Sequence, residues 1–498
     1  MLSPVPVETF GGLNLTEDPA TAGWNQAIDA LNVDLDKRGR LRSRNGYVHL
    51  TSLAAASAYF HLFAPGPVAS KLLASRGDQI DAIAMTGAVS ATLASTASGI
   101  SSWTFANFGT PSNSYTYCQN WGATTRRWDG SAFASPTATI NGVAGGAMPK
   151  VEIICAWPTQ SRLVAAGGSG TQGPGGSTTS AHHVWFSEAG NAESWLTTNF
   201  VQLMPGDNEA INNVVSWNNN IYVIKKTRMF EFYGVSADSS GNPIFNYRTI
   251  DLPSRGLGPF NYETVTVSPG GIFIATERGI YRYNGTFQLV SAAIDPIWLN
   301  TADSFYQGIV RDVPGVVANL FWTDERLYVV LVNNAGTYRT LVWDSRIDAW
   351  LYWDAPARVF AQCQEASNTE KRITFASATA NHVDWFNSSL STDNGSSITS
   401  RYRSGFSDLG TTDMKRIHSW RLQGSGTPTL KVSADFGSLE TGATVTLGTA
   451  PAIAEGVRRY APRGRQFSWQ VGGTGAWSLN NLYANVAGKR QSGEHVAP

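Results

Sequence analysis

A pair of ungapped copies limits the folds open to this chain more than any bulk property does. Residues 221–234 read IYVIKKTRMFEFYG, and residues 272–285 read IFIATERGIYRYNG. The offset is 51 positions (272 − 221). Each copy has four apolar-leaning residues, a four-residue polar turn, an alternating strand and a final Gly. That is the pattern of a strand–turn–strand hairpin. Looser copies follow the same plan. YCQNWGATTRRWDG ends at Gly130, LYVVLVNNAGTYRTLVWDS near Ser345, and ITFASATANHVDWFNS near Ser388. In RLVAAGGSG…HHVWFSEAG the turn is expanded by a Gly/Ser/Thr-rich insertion over 167–181. An earlier candidate, LLASRGDQIDAIAMTG, ends at Gly87.

The last aromatic residues of the six clear copies are Trp128, Trp185, Phe232, Tyr283, Trp343 and Trp385. Their gaps are 57, 47, 51, 60 and 42. A period of about 40–50 residues with several strands per unit is the signature of a β-propeller, whose blades bury their apolar faces against one another. We therefore expect an all-β chain with a propeller of about six or seven irregular blades over 51–400. A β-sandwich array or solenoid is the rival. Composition agrees with all-β: 49 Gly, 17 Trp and only 15% charged residues, against a usual quarter. A length of 498 residues is too great for one core.

The chain ends differ from this repeat. Residues 30–47, ALNVDLDKRGRLRSRNGY, form a hairpin pattern with the turn DKRG. It reads as a docking hairpin in a segment 1–50, or as a strand that closes the ring. Residues 401–487 alternate in period two over several short strands, which suggests a small β-sandwich. Residues 488–498 read as a tail.

Linear motifs offer no catalytic, cofactor-binding or metal-ligating residues. SEAGNAESW (187–195) resembles the Asp-box of sialidases but has Ala189 at its key carboxylate, so a turn ending on a packed Trp195 is expected. The RGD triplet at 76–78 fits a polar hairpin turn. His182–His183 has no second spaced ligand pair. The Gly-rich run 167–177 lacks the strand-to-helix context of a phosphate loop. Cys118, Cys155 and Cys363 are odd in number and widely spaced. They read as small buried apolar residues in a reducing compartment. No apolar run approaches a membrane span, and MLSPVPVETFGG has no secretory pattern.

Charge is uneven although the net charge is zero. Residues 401–498 carry 12 basic and 6 acidic residues, and residues 1–400 carry 25 and 31. The best interaction candidate is VRRYAPRGRQFSW, with Arg458, Arg459, Arg463, Arg465 and Tyr460. Arg forks suit carboxylates or phosphates, and Phe467 and Trp469 could stack on a partner. The alternative is a strand edge defended by charge.

The order of motifs resembles the tail nozzle proteins of short-tailed bacteriophages, also called tail tubular protein B. The opening FGGLNLTEDPATAGWNQAIDALNVDLDKRGRLRSRNGY is similar to their start. VWFSEAGNAESW, GDNEAINNVVSWNNNIYVIKKTRMFEFYG and GLGPFNYETVTVSPGGIFIATERGIYRYNG follow in their order. SGFSDLG…KRIHSWRLQGSGTPTLKVSAD…RRYAPRGRQFSWQV is similar to their closing β domain. The resemblance implies a structural virion protein, not an enzyme, assembled in the host cytoplasm. It implies a homo-oligomeric ring of six copies below portal and adaptor proteins, with tail fibres or spikes outside. DNA is held in and ejected through the channel without specific binding. Residues 51–400, with 20 basic and 25 acidic residues, suit a wall that does not grip phosphate. A receptor- or glycan-binding propeller and a propeller glycosidase are the other readings.

Overall fold

The computed structural model describes residues 2–488 except 8, 18–21, 53–58, 67–70, 78, 95–102, 110–113, 121, 123, 169–171, 177–180, 254–257, 299–318, 333–335, 365–370, 379–380, 410–412, 440–441, 448–453 and 460–461. The described chain is all-β, with one short α-helix (Asp295–Trp298) and a few 3-10 turns. No sheet among the described residues closes into a barrel.

Antiparallel four-stranded meanders dominate. The first spans residues 61–94, the second 104–134, the third 153–202, the fourth 213–251, the fifth 265–289 and the sixth 319–353. The seventh is composite. Ala357–Gln364, Lys371–Ser377 and His382–Asn387 take their fourth strand, Gly46–Ser52, from near the chain start. Every hairpin expected from the repeat forms the second and third strands of a meander. All six spaced aromatics lie on third strands. The two ungapped copies share their register: Ile221 pairs with Phe232 as Ile272 pairs with Tyr283.

Local chemistry explains the tight connections. Asn218–Asn219 closes the first hairpin of the fourth meander with φ +47° and +69°, and Asp324–Glu325 closes that of the sixth with φ +49° and +63°. Two positive φ angles match the right-handed twist of paired strands. Asn and Asp tolerate this region because their short polar side chains bond locally.

Period-two alternation then decides what packs on what. In strand Asn220–Ile224, Ile221 and Val223 join a core with Val164 and Phe186 of the third meander. Tyr222 and Ile224 join Ile272 and Tyr283 of the fifth. Both faces are buried, so the strand reads as a continuous apolar run. Similar cores join the second meander to the third, the first to the second, and the seventh to the first. One larger core covers the fifth, sixth and seventh meanders. The packing order is therefore cyclic.

The larger core also takes in both chain ends. One sheet continues from the sixth meander through Ala27–Leu31 to Thr399–Ser404, Phe467–Thr474, Thr429–Ala434 and Ala443–Thr444. A second holds Val33–Leu35, Leu41–Ser43, Ser478–Gly488, Lys415–Ser425 and Ala454–Arg459, with Leu2–Val7 paired to Ser478–Gly488. Trp420 and Leu422 of the second sheet and Val432, Trp469 and Val471 of the first are all buried in the shared core. The expected border at residue 50 falls inside strand Gly46–Ser52, and the border at 400 falls inside Thr399–Ser404.

Charged side chains lock this junction. The Arg44 side chain is fully buried and pairs with Asp393 (2.5 Å) and Asp354 (3.0 Å). It also donates to Asn32 Oδ1 at 2.9 Å and Asn45 O at 3.0 Å. Arg326 bridges Asp34 (2.6 Å) and Asp344 (2.9 Å), which ties the 33–43 hairpin to the sixth meander. The turn DKRG forms as expected, with Gly39 N donating to Asp36 O at 2.9 Å. Gly39 has φ +70° there.

Candidate functional site

The first strands of all seven meanders line one cavity of about 520 Å³. Its wall is aliphatic and aromatic, with Ile153, Val214, Val265, Leu320 and Phe360 from five successive first strands. Polar groups cross it. His61 of the first meander places Nδ1 3.3 Å from Oε1 of Glu263, which precedes the fifth. Tyr262 Oη donates to the same oxygen at 3.1 Å, and Asn213 Nδ2 donates to Tyr262 O at 2.7 Å. His61 also stacks on Phe105 at 5.3 Å. The first and fifth meanders are not neighbours in the packing order, so this contact crosses the cavity.

The chemistry of that cavity is limited. Glu263 is the one carboxylate among the described lining residues, and none of them is Lys or Arg. Glycoside hydrolysis commonly needs two carboxyl groups about 5–9.5 Å apart.

The basic candidate lies on the second of the two sheets built from the chain ends. Arg458 and Arg459 sit on the edge strand Ala454–Arg459, opposite Trp420 and Ser419. Arg463 is exposed and pairs in register with Arg416. Arg465 is exposed, and its backbone N–H donates to Asp435 Oδ1 at 2.7 Å. Tyr460 lies outside the described residues. Arg416, His418 and Arg421 are exposed on the adjoining strand Lys415–Ser425, so alternation gives this sheet a basic outer face. One expectation is corrected. Phe467 and Trp469 cannot stack on a partner, because both are fully buried between the two sheets. They lie on the strand Phe467–Thr474, which starts after the bend at 465–466, while Arg463 and Arg465 precede it and are exposed.

The remaining motifs take structural places. Ala189–Gly190 is a hairpin turn, and buried Trp195 donates its Nε1–H to Ala192 O at 2.9 Å. Arg76 of the RGD triplet pairs with buried Asp81 at 2.7 Å, and Asp78 lies outside the described residues. His183 is buried in its strand and burial lowers its pKa. Burial pushes the thiols of Cys155 and Cys363 up to about 12 and about 11, and that of Cys118 higher still. Such thiols are poor nucleophiles and metal ligands.

One cluster was not visible in the linear motifs. His49, His382 and Asp384 meet on the seventh meander, with their ligand atoms all within 4.8 Å of one another. His382-x-Asp384 is a period-two spacing that puts both side chains on one face of a strand. The third member comes from a strand 335 positions earlier, which no local spacing reveals.

No protein-family model matches the chain, and no curated protein matches it. Among solved structures it is similar to the extracellular domain of a hybrid two-component system from B. thetaiotaomicron, at 11% identity and a TM-score of 0.37. That match covers 69% of this chain and 40% of the other. Among the described residues, no helix is long and apolar enough to cross a membrane.

Proposed function

We propose that the seven meanders are the blades of a β-propeller, and that the protein is a structural, non-catalytic subunit of a short-tailed phage tail nozzle. Strand Gly46–Ser52 closes the propeller by completing the last blade with chain from before the first. Six copies form a ring that extends the portal and adaptor channel, retains packaged DNA and conducts it at ejection.

The observation that carries this reading is where the ordered motifs fall. The opening and closing segments, which resemble the two ends of nozzle proteins, fold together as one β module. The three middle motifs fall on the third, fourth and fifth meanders in succession. The cavity chemistry favours this reading over a propeller glycosidase. In it the DNA channel runs between copies, because His61 and Glu263 meet across the cavity lined by the first strands. A closed ring needs a heterologous interface, and the basic face around Arg463 and Arg465 is one half of it.

The test is electron microscopy of the purified protein and of particles that contain it. Six-fold rings at the tail are expected. A stable monomer absent from virions would sink the reading. Arg463→Glu with Arg465→Glu is expected to weaken ring assembly at least tenfold while the monomer stays folded, measured by mass photometry. Turnover on a glycan panel would instead support the hydrolase reading.

A further inference from the structure

We propose that His49, His382 and Asp384 bind one divalent transition-metal ion of the zinc class, across the two strands that join the N-terminal segment to the seventh meander. The strands Gly46–Ser52 and His382–Asn387 are antiparallel, with Asp384 directly opposite His49. A register irregularity falls between Val383 and Asp384. The two imidazole rings lie 3.9 Å apart, centroid to centroid. His49 Nδ1 is 2.6 Å from Asp384 Oδ1, and His382 Nδ1 is 3.0 Å from Asp384 Oδ2.

Two observations point to a ligand rather than to a finished hydrogen-bond network. First, His382 Nδ1 and Asp384 Oδ2 face each other at 3.0 Å, yet neither has a hydrogen-bond partner. A ring nitrogen and a carboxylate oxygen this close without hydrogen-bond alignment is how two ligands of one cation sit. Second, the Asp384 side chain is fully buried, and its ion-pair partners are both imidazoles. Among the described residues no Lys or Arg pairs with it. A buried carboxylate with no Lys or Arg partner lacks a fixed positive charge, and a divalent ion supplies one.

The donor set selects the metal. Two imidazoles and one carboxylate suit zinc and its neighbours rather than calcium or magnesium, which prefer all-oxygen sites. Zinc bond lengths of about 2.0–2.2 Å put tetrahedral ligand atoms about 3.3–3.6 Å apart, a small opening of the His–Asp distances of 2.6 and 3.0 Å. Three protein ligands leave a fourth position for water, and the half-exposed His49 marks the entry side. Because the ligands come from the two strands of one seam, the ion would hold that seam shut.

The test uses the full chain without a polyhistidine tag, stripped with EDTA and dialysed. It is titrated with zinc chloride by calorimetry and with cobalt chloride by visible absorption. One ion per chain is expected, with a visible cobalt band and a higher unfolding temperature. His49→Gln and His382→Gln should each weaken zinc binding at least tenfold with unchanged circular dichroism. His49→Gln alone carries the test if the other variant misfolds, since His49 is the exposed ligand. No zinc uptake above the dialysis control, or equal binding by His49→Gln, would overturn the proposal.

Discussion

The fourth and seventh meanders reach the same four-stranded form by different routes. The fourth is built from one continuous stretch, residues 213–251, with tight turns and apolar side chains on both faces. The seventh waits for a strand that lies more than 300 positions earlier, and its surroundings are charged: Arg44, Asp354, Asp393, His49 and Asp384. Local contacts cost little loop-closure entropy, whereas a long-range pairing forms against it. A repeat of apolar side chains suffices to stack neighbouring meanders. Joining the two ends of the array uses specific polar partners, because an apolar face alone does not choose among seven similar edges.

The largest expected effect tests that specificity. Arg44→Ala removes a fully buried guanidinium and leaves Asp393 unpaired. We expect a loss of about 3 kcal/mol, at the low end for a broken buried pair because Asp354 is half exposed. Urea unfolding followed by tryptophan fluorescence measures it. A loss below about 1 kcal/mol would mean that the junction is not held by this residue.

The corresponding change in the fourth meander is Val223→Ala, which cuts a fully buried side chain in the core shared with the third meander. Loss of transfer energy plus the cavity predicts about 2 kcal/mol, with no change in pH dependence.

Acid sharpens the contrast. Burial alone would raise the pKa of Asp344, but hydrogen bonding from Arg346 and the charge of Arg326 outweigh it and hold the carboxyl low. A lowered folded pKa gives stability that is present above the ordinary carboxylate value of about 3.9 and is lost as pH falls through the lower folded value. The junction should therefore loosen below about pH 4. Asp344→Asn should flatten that acid limb in thermal melts between pH 2 and 6, and an unchanged limb would remove Asp344 from the account.

The smallest effect has the opposite sign. Glu325 occupies φ +63° in a turn, where a non-glycine residue is strained by about 1–2 kcal/mol. Glu325→Gly should stabilise by up to about 1 kcal/mol once the added chain entropy is subtracted. Its pair with Lys37, at 4.0 Å and largely exposed, contributes nothing measurable to lose.

These differences also explain what was legible in the sequence. The hairpins could be read, with their register in the matched pair, because a two-residue period and turn chemistry act over ten to fifteen positions. The all-β class followed from them. The fate of Phe467 and Trp469 was misread because the basic run was taken as one continuous surface, whereas a bend at 465–466 separates the exposed arginines from the buried strand Phe467–Thr474. The junction was harder still. Ala27–Leu31 and Gly46–Ser52 look like ordinary strands, and nothing local says that their partners are Thr399–Ser404 and His382–Asn387. Arg44 sits among Arg40 and Arg42 in one basic hairpin, yet it alone is fully buried. The His–His–Asp cluster escaped for the same reason, since one ligand comes from before the repeat array and two from its last meander.

The central claim is that chain from before the first meander completes the seventh. Amide hydrogen exchange resolved to segments 46–52 and 382–387 tests it most directly. The account predicts that both segments are protected at least a hundredfold over free peptides, and that they lose protection together as urea is raised. Free-chain exchange at 46–52 while 382–387 stays protected would contradict it.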